Sequence, residues 1–160
     1  MWKEPSREGS CFAGLIGLNP GTLDLSSDLP DEEQRINGLS LDKIVQENLH
    51  ELNPAQVWDV YLKAQKEKRV DLLPELFSSD WFTDYYKDHR EEFLSDIRNG
   101  TYAVEEYRVS PVYLSQGNQA VVFIESQLIK QDGKVMDTGQ VNVRAVNEHG
   151  HWLVPPFAAQ

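Results

Sequence analysis

The chain reads as an α+β protein, with N-terminal helices packed on a four-stranded antiparallel sheet. Three observations predict this. Apolar residues recur every three to four positions through residues 40–98, the period of a helix lying on a core. Residues 140–145 alternate strictly, with Val141, Val143 and Ala145 on one side and Gln140, Asn142 and Arg144 on the other, the period of a strand. The turn signals Asp132-Gly133 and Asn147–Gly150 stand between strand-like runs, as in hairpins.

The first helix is expected over 40–52, where Leu41, Ile44, Val45, Asn48, Leu49 and Leu52 share one face. A stronger start signal follows. Asn53 can cap, Pro54 suits the first helical position, and Gln56 completes a capping box. Along this second helix Val57, Trp58, Val60, Tyr61, Leu62 and Ala64 fall within an arc of roughly 200° at 100° per residue. Asp59, Lys63, Lys66 and Glu67 take the other side. So wide an apolar face suits a helix covered on more than one side.

Val70–Phe77 reads as a short helix with Leu73, Leu76 and Phe77 inward. Ser79 or Asp80 could cap a further helix running to Arg98, with Trp81, Phe82, Tyr85, Tyr86, His89, Phe93 and Ile97 as one stripe. Asn99-Gly100 stops it. The expected strands are Thr101–Val109, Ala120–Ile129, Val135–Val146 and His151–Val154, with Pro155-Pro156 ending the last. Short turns between consecutive strands make an antiparallel meander with helices over one face.

Residues 1–38 differ. They hold five of the ten glycines and three of the eight prolines, with an acidic run at Asp31-Glu32-Glu33. Leu15, Ile16, Leu18, Leu23, Leu25 and Leu29 make them too apolar for a free tail. They are read as an irregular arm that docks on the domain or a partner, and residues 39–160 as a single domain.

Composition bounds the function. With 40% hydrophobic and 26% charged residues over 160 positions, the chain can bury its own core. A net charge of −11 argues against nucleic acid and anionic membrane, which reward Lys/Arg clusters. Lys63, Lys66, Lys68 and Arg69, interrupted by Glu67, read as a solvated helix end. No apolar run reaches the roughly 18 residues of a membrane span. The lone Cys11 cannot form an internal disulfide. The default compartment is cytoplasmic, with an extracytoplasmic one open if the natural chain begins upstream of Met1.

The order of elements resembles the nuclear-transport-factor-2-like superfamily, of cystatin-like fold. The resemblance covers about residues 53–154. It rests on the helix at Val57–Ala64, on Val70-Asp71-Leu72-Leu73-Pro74-Glu75-Leu76-Phe77, on the hairpins, and on the closing His149-Gly150-His151-Trp152-Leu153-Val154. It implies a cone-like α+β barrel, a curved sheet around a long helix with a Trp inserted at the close. It also implies homodimers through the outer sheet face, where Gln140, Asn142 and Arg144 would lie. Such folds host enzymes and binding modules alike, so fold does not choose function. The isomerase-like members carry an acidic Tyr on the first helix, a base Asp after the second and a protonated Asp on a late strand. Tyr61 matches the first by position. Tyr85 stands at the second with Asp84 beside it, and no acid stands among Val141, Val143 and Ala145. The acid–base set is therefore not carried over.

Four sets of residues could carry chemistry. Trp58, Tyr61, Trp81, Tyr85, His89 and Phe93 would line a pocket for an apolar small molecule, or simply pack as a core. His89 could bind or transfer a proton, or be an edge or core histidine bonded to a backbone carbonyl. His149 and His151 offer two metal ligands on one strand but no third. Ser78-Ser79-Asp80 lacks the context of a nucleophile elbow, and there is no phosphate loop. The leading expectation is a non-catalytic binding or assembly module without cofactor or metal. It would recognise a protein partner, its own copy, or a small apolar ligand. The alternative is a lyase- or isomerase-type enzyme using Tyr61, Asp84 and His89.

Overall fold

The structure, a computed structural model, describes residues 39–156. The arm at 1–38, with its leucines and Cys11, lies outside the described residues, as do 157–160.

Helix α1 (Leu41–Glu47) starts where Ser40 accepts from the Lys43 N–H at 3.2 Å. It is shorter than the helix expected over 40–52. Asn48 leaves helical geometry, its amide donates to Glu51 at 2.7 Å, and a 3-10 turn (Leu49–Glu51) follows. Asn competes for backbone bonds this way, which makes it a poor helix interior residue. Helix α2 (Pro54–Lys66) begins in the capping box the sequence announces. Asn53 accepts from Gln56 N–H and Gln56 accepts from Asn53 N–H, both at 2.8 Å. Its buried residues include all six of the predicted apolar arc. Arg69 forks onto Asp42 of α1 and Asp71, pinning α1 beside the end of α2. Helix α3 (Leu73–Leu76) buries Leu73 and Leu76, with Phe77 just beyond, as the pattern required.

The helix expected from Ser79 to Arg98 is corrected. Two 3-10 turns (Ser79–Phe82 and Asp84–Tyr86) precede α4 (Lys87–Asn99), and Thr83 between them is extended at ψ 159°. Ser79 caps no helix. Its N–H and hydroxyl donate instead to Glu148, the hydroxyl at 2.9 Å. A run of aromatic, β-branched and Asp residues has little helical propensity, so tertiary contacts decide its path.

The sheet has five strands: β1 (Tyr102–Gln116), β2 (Gln119–Gln131), β3 (Lys134–Asp137), β4 (Val141–Glu148) and β5 (His151–Leu153). All pairings between them are antiparallel, in the order β1-β2-β4-β5. The expected single strand over Val135–Val146 is broken at Gly139, which takes φ +68° and donates to Asp137 at 2.8 Å. β3 and β4 therefore occupy the same edge of β2 in succession. β3 pairs with Leu128–Gln131, and β4 with Gln119–Ile124. β1 runs well past the expected end at Val109. Its register slips between Val104 and Glu106, between Arg108 and Val109, and between Val109 and Tyr113. The last slip holds Pro111, which has no N–H for a ladder. Such bulges bend and twist a strand, and here they curl the sheet.

Val122, Ile124, Val143 and Ala145 on the concave side pack with Val57, Trp58, Tyr61 and Leu62 of α2 in one core. The closing segment is tied to the helices. Val154 N–H donates to Leu76, and the Val154 carbonyl accepts from Ser78 N–H at 2.9 Å. Trp152 is only partly buried and packs at the edge of the core, rather than being inserted into it as the resemblance implies. The architecture agrees with a helix cradled by a curled antiparallel sheet. No helix among the described residues is long and apolar enough to cross a membrane.

Candidate functional site

α2 supplies Trp58 and Tyr61, the end of α3 supplies Phe77, the first 3-10 turn supplies Trp81, and α4 supplies Phe93. These rings meet. Trp58 stands edge-on to Tyr61 with centroids 5.0 Å apart. Phe77 stacks on Trp81 at 4.1 Å and 14°. Phe93 lies 6.4 Å from Tyr61 and 5.7 Å from Trp81. Edge-on and stacked contacts at these spacings are those of packed aromatic clusters. Both indoles have their polar atom satisfied by backbone: Trp58 donates to the Arg144 carbonyl at 2.9 Å, and Trp81 to that of Val154 at 2.8 Å. Each bond ties a helical segment to a strand far along the chain.

Four of the six predicted lining residues thus come together: Trp58, Tyr61, Trp81 and Phe93. Two do not. Tyr85 is 82% exposed and stands edge-on to Tyr86 at 4.7 Å. The extended Thr83 breaks helical phase, so a spacing of four after Trp81 no longer returns to the same face. His89 is also exposed, with its ring stacked 5.6 Å from Trp81. Asp84 is exposed in the second 3-10 turn. Tyr61 is buried, so it does not share a surface with Asp84 and His89. Phe82, another member of the predicted stripe, is 53% exposed beneath the Arg90 guanidinium, 4.9 Å from its ring centre. Arg90 also donates to the Trp81 carbonyl.

The electrostatics of the interior centre on Tyr61 and on three residues the sequence did not single out as site residues, Tyr102, Tyr107 and Asp59. Burial, then the neighbouring Tyr102 phenol, pushes the Tyr61 hydroxyl far above its ordinary value. Burial also raises Tyr102. Tyr107 is raised by burial, then by the charges of Asp59 and Glu67. Asp59 itself is raised by burial, against the pull of Lys63. The apolar arc leaves Asp59 on the opposite side of α2, but β1 covers part of that side. Tyr107 comes inward through the first register slip, because the extra residue at Glu105 moves Glu106 outward opposite Leu128 and brings Tyr107 opposite Gln127. The adjacent acids Glu105-Glu106 in an otherwise alternating run were the visible sign of that bulge. Burial makes both the Asp59 carboxyl and the Tyr107 phenol stay neutral more readily than usual.

An open cleft of about 360 Å³ lies between β1, β2 and β3, lined by Glu106, Tyr107, Arg108, Ser126, Leu128 and Asp137. Its lining is mixed polar and apolar, and none of the predicted lining residues reaches it. His149 sits in the left-handed region at φ +55°, making with Gly150 the two-residue turn into β5. His151 faces His50 at 6.5 Å. Among the described residues no three His, Cys, Asp or Glu side chains gather as metal ligands.

Fold and site together define a curled-sheet α+β module whose central aromatic rings are packed against one another. No family model matches the chain, and no curated protein matches it. Among solved structures it is similar to a Campylobacter jejuni protein assigned the name NTF2-like transpeptidase. The two are 13% identical with a TM-score of 0.43, over 65% of this chain and 98% of that one.

Proposed function

We propose that this protein is a non-catalytic binding or assembly module that recognises a protein partner through the aromatic surface around Phe82 and Tyr85. One observation carries the reading. Within nine residues of chain, Phe77 and Trp81 are closed into the core while Phe82 and Tyr85 stand 53% and 82% exposed. Tyr86, His89 and Arg90 border them. Tyr offers a large contact area at low entropic cost and a polar tip that tolerates water, which is why it is enriched in interfaces. The carboxylates of Asp80, Asp84 and Asp88 flank the patch, so the complementary surface is apolar with basic groups at its rim. Binding a small ligand in the cone would require Trp58, Tyr61 and Phe93 to part.

A peptide library displayed on phage and panned against the full chain tests this. Selected peptides are expected to be rich in apolar and basic residues. They should lose at least about tenfold in affinity on Tyr85→Ala, a loss of 1.4 kcal/mol or more. Peptides whose binding is unchanged by Tyr85→Ala and by Phe82→Ser would reject the reading.

A further inference from the structure

The outer face of the sheet carries an apolar strip that alternation explains and the helices do not cover. Val122 and Ile124 of β2 and Ala145 of β4 point into the core, so Val121, Phe123 and Val146 point away from it. Leu114 pairs with Val121, and Leu153 pairs with Val146, which extends the strip to both edges of the sheet. All five side chains are half-buried. Arg144 lies among them. Its backbone carbonyl holds Trp58, one terminal nitrogen reaches Gln119 at 3.4 Å, and its Nε is closed off from solvent without a hydrogen-bond partner. A buried guanidinium N–H without an acceptor is costly, and a carboxylate is its natural complement.

We propose that residues 15–29 of the N-terminal segment are the occupant of this face, with their leucines on the strip and Asp24 or Asp28 accepting from Arg144. The chain enters the described fold at Leu39, which packs against the core beside α1. The 3-10 turn at the far end of α1 lies against β5, where His50 faces His151, so the β5 edge of the strip is one short helix, roughly 15 Å, from Leu39. From β5 to β1 the sheet is three strand spacings wide, about 15 Å. The ten residues from Leu29 to Leu39 can span about 35 Å when extended. Leu15, Ile16, Leu18, Leu23, Leu25 and Leu29 match an apolar strip in kind. Asp24, Asp28, Asp31, Glu32 and Glu33 bring acid without a base until Arg35. Docked there, the segment covers the outer face and leaves Phe82 and Tyr85 free.

Cys11 is the chain's single cysteine and lies four residues before Leu15, so a nitroxide can be attached to it in the full natural sequence. The expected result is loss of the amide signals of Val121, Phe123 and Arg144 in the nitrogen-15 spectrum of the labelled chain. Signals of α4 should be retained. The lost signals should return on reduction of the nitroxide and in the Leu15→Asp/Leu18→Asp chain. Arg144→Gln should restore them in part. Retention of the sheet signals in the labelled chain overturns the proposal, as does loss centred on Tyr85 and His89. A mixture of nitroxide-labelled natural chain with nitrogen-15-labelled Cys11→Ser chain separates the remaining case. Loss of the same sheet signals in that mixture makes a second copy the occupant and overturns docking within one chain.

Discussion

Two groups of aromatic side chains lie side by side in the fold and behave oppositely. Trp58, Tyr61, Phe77, Trp81 and Phe93 stack ring on ring, with both indole donors bonded to strand carbonyls. Phe82 and Tyr85 stand in solvent, and His89 leans on Trp81 from outside. The difference is one of backbone. α2 is regular, so its apolar arc stays on one side. Phe82 follows Trp81 round the same 3-10 turn onto its outer side, and the extended Thr83 then turns Tyr85 outward. The first group therefore contributes to stability, and the second is free to contribute to recognition.

The largest effect that can break this comparison comes from Trp81→Ala. It empties a buried indole site and leaves the Val154 carbonyl with one donor fewer, so urea unfolding should show a loss of about 3–5 kcal/mol. A loss under about 1 kcal/mol would mean that the interior is not packed as described. Next comes pH. The folded-state value of Tyr61 is raised, so its contribution is fully present below the ordinary phenol value near 10 and is lost as pH rises above it. Stability should fall by about 1.4 kcal/mol per pH unit in that window for each such tyrosine. Tyr61→Phe should flatten the slope of the urea midpoint against pH, and an unchanged slope would place the hydroxyl in water.

Asn53→Ala removes the acceptor of Gln56 N–H and should cost about 1 kcal/mol by the same unfolding measurement. It sharpens the comparison, because it loosens the start of the helix that carries Trp58 and Tyr61 without touching a ring. The smallest effect belongs to Tyr85→Ala, which should stay within about 0.5 kcal/mol of the natural chain while weakening peptide binding. A stability cost equal to that of Trp81→Ala would erase the distinction between the two groups.

Much of the fold was legible in the residues. The capping box at Asn53 and Gln56, the apolar arc of α2, the inward set Val143 and Ala145, and the turn at His149-Gly150 all depend on neighbours in sequence. Of the candidate site, the four rings that meet were legible because three stand on the inward faces of helices. Tyr85 was misplaced because helical phase was carried through Thr83, and His89 reaches Trp81 from the exposed side. Asp59 and Tyr107 were missed because their environment depends on a bulge.

Local periodicity and capping chemistry thus determined element type, order and most of the core, since each is settled within a turn of helix or a strand pair. Tertiary structure decided the rest. It broke the strand at Gly139, because the curled sheet needs β3 and β4 to share one edge of β2. It extended β1 through Pro111 by tolerating an unpaired stretch. It turned Phe82 and Tyr85 to the surface, because the bonds of Trp81 to Val154 and of Ser79 to Glu148 hold that turn against the sheet. Pairing between strands sets the first two and bonds about seventy residues apart set the third, so none is settled within a single turn of helix or a single strand.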